Sequence, residues 1–406
     1  MNKLIIIYQN NFTQKEFEKL NIKYFIDSNI STEIWVMNKL LRDGIIFSNM
    51  KSRKKIKIKN IMSINELENN IKSEQKNNTV YQVHLKFELR SINIFRLITK
   101  YNCIYSIHPG LNNNQSKNIK KIFGTLIEEI ISLNFTHLYK QIIKQLYNLF
   151  NKIIFKLKIK LYDFKPADFY YCIAKKFFLD NKNHFLMSKK TKIIWGHHKD
   201  YELFIKNKKT KSNIQNKKIL FIDQNVPYHS DLIALRAADI NPKNYYSSIN
   251  KFLEKVSNKL KTKAHVSCHP RANIKKIKKF FPNISLSKGD TLKQVKNAKC
   301  LIVHDSTALN FGVLYSKPII YIYNNALKHS KWQHVKEVVS AAKKLKKFYY
   351  NIDEEEKLFF KNFQREIKIN NHNYWIYLKN YIKYKGTNKN SAEEIIYKFK
   401  LYKIWK

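Results

Sequence analysis

Two short clusters carry residue types suited to holding an anion. His269-Pro270-Arg271 follows the apolar run HVSC, and Asp305-Ser306-Thr307 follows CLIVH, just before the pattern ALNFGVLY. Histidine and guanidinium groups donate to phosphate, and charge-assisted hydrogen bonds are the strong ones. Ser306 and Thr307 are expected at the N-cap or first turn of a helix. There, unpaired N–H groups and the helix dipole favour an anion, and hydroxyls add donors without charge. Taken alone, Asp-Ser-Thr is also simply a good helix cap. In a parallel sheet both clusters leave on the carboxyl edge, where ligands of open α/β sheets bind. The pair therefore points to the phosphate of a nucleotide mono- or diphosphate donor, held by His269, Arg271, Ser306 and Thr307.

Two further clusters flank the cleft that such a fold would form. In FIDQNVPYHSDL, Asp223 ends a strand on the same edge, with His229 and Asp231 in the loop that follows. In WGHHKDYELF, His197 and Asp200 are additional cleft residues, as is Asp305. A histidine beside a carboxylate serves acid/base chemistry, which makes Asp223 and His229 the catalytic candidates. The rival reading is a loop held by its own hydrogen bonds. A second His-Pro, His108-Pro109, reads as a strand-ending turn.

The seven glycines stand at 44, 110, 124, 196, 289, 312 and 386. Neither GxGxxG nor a P-loop can be built from them, which argues against a dinucleotide dehydrogenase and a P-loop NTPase. No DxD stands at a strand end, so no metal and no other cofactor is expected.

The elements that must position these residues alternate. LIIIYQ, NISTEIWVMN, TVYQVHLK and NCIYSIHP read as strands, separated by helical patterns that include one capped by Ser63 and SINIFRLITKY. ADFYYCIA and TKIIWGHH read as two closing strands. After the polar stretch 206–218 come the strands KKILFIDQ, KAHVSCHP, CLIVHD and KPIIYIY, with helices between them, one of them capped by Asp290. Strands alternating with helices of this length predict parallel sheets with crossover helices. The expected fold is α/β: two Rossmann-like domains facing a cleft, with a helical C-terminal tail. The expected bounds are 1–205, with a helical insertion at about 121–157, then 206–345 for nucleotide binding, and a basic helical tail at 346–406.

Composition narrows the class less than it first suggests. The 406 residues carry 77 Lys and Arg against 30 Asp and Glu, a formal net charge of +47. Such charge attracts polyanions without specificity. Excess Lys, Asn and Ile with few Gly is also what AT-rich coding bias produces, and the basic residues are spread along the chain. Charge alone names no partner, and no specific nucleic acid is expected. Cys103, Cys172, Cys268 and Cys300 form no CxxC pair and read as buried, reduced thiols. MNKLIIIYQNN lacks a signal-peptide pattern, and the apolar regions fall short of a membrane span. A cytoplasmic chain is expected, at most peripheral on an anionic inner-membrane surface.

The segments FIDQNVPYHSDL, NPKNYYSSINKFLEKV, HVSCHPR and VHDSTALNFGVLYSKPIIYI together resemble the surface carbohydrate biosynthesis proteins of bacterial polysaccharide loci. TKIIWGHHKDYELFIK is similar to the segment joining the two halves in that family, and LIIIYQNNFTQKEFEKLNIKYF to its opening. The resemblance implies a glycosyltransferase-B-like architecture with the donor nucleotide mainly on the C-terminal half. His-Pro followed by a Ser/Thr pair also resembles the donor motifs of bacterial sialyltransferases and Kdo transferases. It implies that His269, Ser306 and Thr307 hold the phosphate of a CMP-sugar, with a glycan or lipid-linked acceptor. No counterpart of those transferases' acidic Asp-Gly motif is assigned. The rival classes are a sugar-nucleotide epimerase or hydrolase of the same fold, and a basic nucleic-acid-binding protein.

Overall fold

The computed structural model describes residues 2–41, 56–75, 78–108, 154, 157, 161–182, 184–208, 218–229, 239–330, 334–386 and 388–405. The expected helical insertion at 121–157 lies almost wholly outside them. The chain divides into two compact units, Met1–Gly196 with Lys385–Lys406, and His197–Tyr384.

In the first unit seven parallel strands take the order β3-β2-β1-β4-β5-β6-β7. They are β1 Asn2–Tyr8, β2 Ser31–Val36, β3 Ile56–Asn60, β4 Asn78–His84, β5 Ile104–Ile107, β6 Phe169–Cys172 and β7 Lys192–Trp195. Because side chains alternate across a strand, Leu4 and Ile6 of β1 enter one core while Ile5 and Ile7 enter the other. Both faces are covered, which is why LIII is apolar throughout rather than alternating. Ser63 caps the Ile64–Glu74 helix by accepting from the Glu66 N–H.

One of those covering elements comes from the far end of the chain. The Ser391–Leu401 helix buries Ala392, Ile395 and Phe399 against Leu4, Ile34 and Phe169. Phe399 lies 4.8 Å from the Phe169 ring and 4.9 Å from Trp405. The last segment is thus core of the first unit, not a separate tail. The division at Gly196/His197 also precedes the expected boundary at 205/206.

The second unit repeats the plan with six parallel strands, order β10-β9-β8-β11-β12-β13. They are β8 Lys218–Ile222, β9 Ala264–Cys268, β10 Ser285–Lys288, β11 Ala298–Val303, β12 Ile319–Tyr323 and β13 Tyr349–Asn351. Numbered from its own first strand this is 3-2-1-4-5-6, the doubly wound Rossmann order. The Pro242–Leu260 helix starts with Asn241 accepting from the Lys243 and Asn244 N–H groups and Pro at the first turn. Its residues Tyr245, Ile249, Phe252 and Val256 recur at helical spacing and are buried. Asp290, expected to cap the next-but-one helix, instead adopts a left-handed φ of 52° and makes no side-chain cap.

All four cysteines are buried and free. No described helix is long and apolar enough to cross a membrane.

Candidate phosphate site at the switch point of the second sheet

In the 3-2-1-4-5-6 order the chain reverses direction of growth between β8 and β11. Ligands of such sheets bind outside the carboxyl ends at this point. The segments that leave there are Asp223–His229 after β8 and Asp305-Ser306-Thr307 after β11; His269-Pro270-Arg271 leaves from β9, the other neighbour of β8. At the usual strand spacing the ends of β9 and β11 stand about 10 Å apart, with the β8 loop between them.

Asp223 organises that loop from below. Its Oδ1 accepts the Asn225 N–H at 2.9 Å, and the Tyr246 hydroxyl stands 3.5 Å from Oδ2. Asn225 takes a left-handed φ of 55°, and Pro227 sits in the turn Val226–Tyr228 that delivers His229. Asp223 is only 2% exposed. Burial pushes its pKa up to about 7, although the Asn225 N–H and the Tyr246 hydroxyl pull the other way. The carboxyl is therefore a loop-holding group with an unusual proton affinity. Asp231 lies outside the described residues.

His229 meets His269 with ring centroids 5.4 Å apart, so the β8 and β9 loops touch. The Arg271 backbone N–H lies 3.2 Å from His269 Nδ1. Since a backbone N–H can only donate, Nδ1 accepts, and the neutral ring carries its proton on Nε2. Arg271 is exposed.

After β11, His304 fixes where the Asp-Ser-Thr turn begins. Its Nδ1 is 2.7 Å from the Ile322 carbonyl and its Nε2 is 2.8 Å from the Tyr245 hydroxyl. The carbonyl requires a donor, so Nδ1 is protonated and Nε2 accepts from Tyr245. Both nitrogens are satisfied in a ring 1% exposed. Ser306 Oγ accepts the Ala308 N–H at 3.2 Å, and the Ser306 carbonyl accepts the Leu309 N–H at 3.1 Å. The helix itself runs Leu309–Leu314 with Ala308 as N-cap, so Ser306 and Thr307 form the turn before it rather than its first residues. A Cβ on Gly312 would meet Leu301 Cδ1 at 2.5 Å, so the missing side chain lets this helix lie close on the sheet.

The WGHHKD segment reaches the same helix. Asn310 Nδ2 donates to Asp200 Oδ2 at 2.9 Å, and the Tyr377 hydroxyl donates to Asn310 Oδ1 at 3.1 Å. Asp200 thereby braces the helix that follows Thr307. His197 is buried, bridged to Lys383 and against the Tyr201 ring, 5.0 Å between centroids.

Sequence reasoning missed His334, which opens the helix His334–Leu345. Its ring is 9% exposed and its Nε2 is buried with no hydrogen-bond partner. Burial lowers its pKa to about 4; Asp305 and Asp239 oppose that shift, and His304 and His229 add to it. The available signal was a histidine opening an apolar helical pattern after the fifth strand of the unit. An acidic signal was also passed over: Asp43-Gly44 is an Asp-Gly pair in the N-terminal half, and it lies outside the described residues. Among the described residues no three His, Cys, Asp or Glu side chains are grouped to hold a metal ion.

No protein-family model and no curated protein matches the sequence. Among solved structures, the UDP-GlcNAc 2-epimerase from Methanocaldococcus jannaschii is similar at 14% identity over 98% of this chain and 99% of that one, TM-score 0.49. The wall teichoic acid polymerase TagF, H548A variant, is similar at 11% identity over 99% and 89%, TM-score 0.48. MurG from Acinetobacter baumannii is similar at 7% identity over 93% and 94%, TM-score 0.44. The two-unit α/β assignment stands on the strand orders above.

Proposed function

We propose that the protein is a glycosyltransferase-like enzyme of bacterial surface polysaccharide assembly that uses a nucleotide-activated sugar. The carrying observation is that the second sheet has Rossmann order, with the Asp223–His229 and Asp305-Ser306-Thr307 segments flanking its switch point and His269-Pro270-Arg271 on the neighbouring strand. In this reading His269, Arg271, Ser306 and Thr307 donate to the donor phosphate and stabilise it as negative charge develops on the leaving group. His229, beside His269, is the acid/base candidate that reaches the loop surface; Asp223 holds the loop. The sequence resemblance adds the finer form: a CMP-linked nonulosonate or Kdo donor, a glycan or lipid-linked acceptor, and work at the cytoplasmic face of the membrane.

Thermal unfolding tests this. A ligand that binds only the folded state raises the melting temperature. CMP, UDP, GDP or dTDP is expected to do so, and His269→Ala or Ser306→Ala to abolish the rise. If none of the four shifts the wild-type protein, the nucleotide-sugar reading falls. Product analysis with donor alone separates the enzyme classes, since an epimerase or hydrolase consumes donor without acceptor. Affinity for nucleic acid that falls steeply with salt and ignores His269→Ala would favour the polyanion reading instead.

A further inference from the structure

The segment that opens the second unit carries a histidine–carboxylate pair tied by hydrogen bonds to the Asp-Ser-Thr turn. His198 Nδ1 stands 3.1 Å from Asp200 Oδ2, with each side chain 17% exposed. The Asp200 backbone N–H points at the same nitrogen from 3.2 Å. Because that N–H can only donate, Nδ1 accepts, and the neutral ring carries its proton on Nε2. His269 is held in the same way by the Arg271 N–H. Asp200 Oδ2 also accepts from Asn310 Nδ2 at 2.9 Å, and the Tyr377 hydroxyl donates to Asn310 Oδ1. The Asn310 backbone N–H in turn donates to the Thr307 carbonyl at 3.1 Å. A single residue, Asn310, thus joins the pair to the turn assigned to the ligand phosphate.

Two atoms of this braced pair are left over. Among the described residues nothing bonds His198 Nε2 or Asp200 Oδ1. The first is a donor and the second an acceptor, on partly exposed side chains whose other polar atoms are already engaged. A carboxylate repels phosphate, so this pair does not suit the anion itself. It suits a hydroxyl, which donates and accepts at once, and a vicinal diol can engage both atoms. From this geometry we infer that His198 and Asp200 form a hydroxyl-binding subsite beside the Asp-Ser-Thr turn. It takes a hydroxyl or diol of the ligand whose phosphate lies at Ser306 and Thr307, and so rests on the nucleotide-sugar reading. The hydroxyls come from the ribose or from the transferred sugar.

The test uses the full chain with His198→Asn, His198→Gln and Asp200→Asn, titrated calorimetrically with pyrophosphate, CMP, UDP and UDP-GlcNAc. Asparagine at 198 keeps an acceptor for the Asp200 N–H but does not reach the position of Nε2, so the ligand-free melting temperature should hold. Its affinity for hydroxyl-bearing ligands should fall about tenfold, the value of roughly one hydrogen bond. Pyrophosphate affinity should stay the same. Glutamine reaches further and should recover part of the loss. Asp200→Asn removes the charge that strengthens a bond from a hydroxyl. It should lower affinity for hydroxyl-bearing ligands about tenfold relative to pyrophosphate, which should bind as well or better. A loss already present with CMP or UDP identifies the ribose; a loss confined to UDP-GlcNAc identifies the sugar. Hydroxyl-bearing ligands that bind unchanged to His198→Asn or to Asp200→Asn, or an equal loss for pyrophosphate, overturn the subsite. Wild-type protein that binds no nucleotide overturns the parent reading, and the subsite with it. Should the variants not fold, the ring 15N signals of His198 in the wild-type protein must move with nucleotide and not with pyrophosphate; signals that stay put with both overturn the subsite.

Discussion

The two sheets share a strand order but spend their carboxyl edges differently. At the edge of the first, His84 and His108 stack 4.4 Å apart and His108 stacks on Tyr171 at 4.9 Å. His108 Nε2 is bonded to Ser106 Oγ at 3.2 Å, and Gln9 Oε1 accepts the Lys86 N–H. Part of this edge turns its polar groups inward, into ring stacks and loop bonds, while His84 Nε2 is buried without a hydrogen-bond partner. At the edge of the second, His229, His269, Asp305, Ser306 and Thr307 are partly or fully exposed. Topology supplies a switch point in both sheets; among the described residues the first leaves groups such as Asn10 and Lys86 exposed there, whereas the second leaves histidines, a carboxylate and hydroxyls. A Rossmann-like order is therefore no indication of a phosphate site without the residues that line it.

The largest expected effect separates the units through the chain's last helix. Phe399→Ala removes a fully buried ring from the first core and should cost about 3–5 kcal/mol. Calorimetry should show the Met1–Gly196 unit melting earlier, with the nucleotide response of the second unit kept. Equal destabilisation of both units would place the tail wrongly.

One buried group from each edge, His84 and Asp223, should next differ in the sign of its pH dependence. Burial lowers the pKa of His84 to about 3, with a smaller contribution from Lys19. The folded state then refuses a proton that the unfolded state accepts below about 6.5, so stability is present above that pH and lost as pH falls toward 3. Asp223 works in reverse. With a folded pKa of about 7 against an ordinary 3.8, it holds its proton better when folded, and that contribution is lost as pH rises from 4 to 7. Each full titration is worth about 4–5 kcal/mol. His84→Gln should flatten the stability profile between pH 3 and 6.5; Asp223→Asn should steepen it between pH 4 and 7. Denaturant unfolding across pH checks both, and profiles parallel to wild type would contradict the assignments.

Two glycines give the smallest contrast. A Cβ on Gly196 would lie 2.0 Å from the Tyr171 hydroxyl, and one on Gly312 would lie 2.5 Å from Leu301. Alanine at either should cost about 1–3 kcal/mol through overpacking. Only Gly312→Ala, which lifts the helix behind Thr307, should also weaken nucleotide binding; loss of binding in Gly196→Ala would break the distinction.

Much of this was legible because it is local. Apolar runs such as KILFI and CLIV mark buried strands, and the residues that end them must then share an edge. Elements that differ on their two faces were missed. β3 reads IKIKN and β10 reads SLSK, half-exposed strands with too little apolar signal, and β13 is three residues long within a stretch read as helical. Long-range packing was invisible too. Nothing local says that Phe399 returns to Leu4, or that Asp200 meets Asn310. His334 was hidden by its helix, since VKEVVSAAKKL explains its surroundings without needing a ligand.

The central claim is that the second sheet's edge, and not the first, binds a phosphate-bearing nucleotide. Isothermal titration of CMP and UDP into the wild-type protein, His269→Ala, Ser306→Ala and His84→Gln tests it most directly. Saturable binding that weakens about tenfold or more in His269→Ala and Ser306→Ala, but is retained in His84→Gln, is the predicted result. Binding unchanged by the first two substitutions, or lost with the third alone, would contradict it.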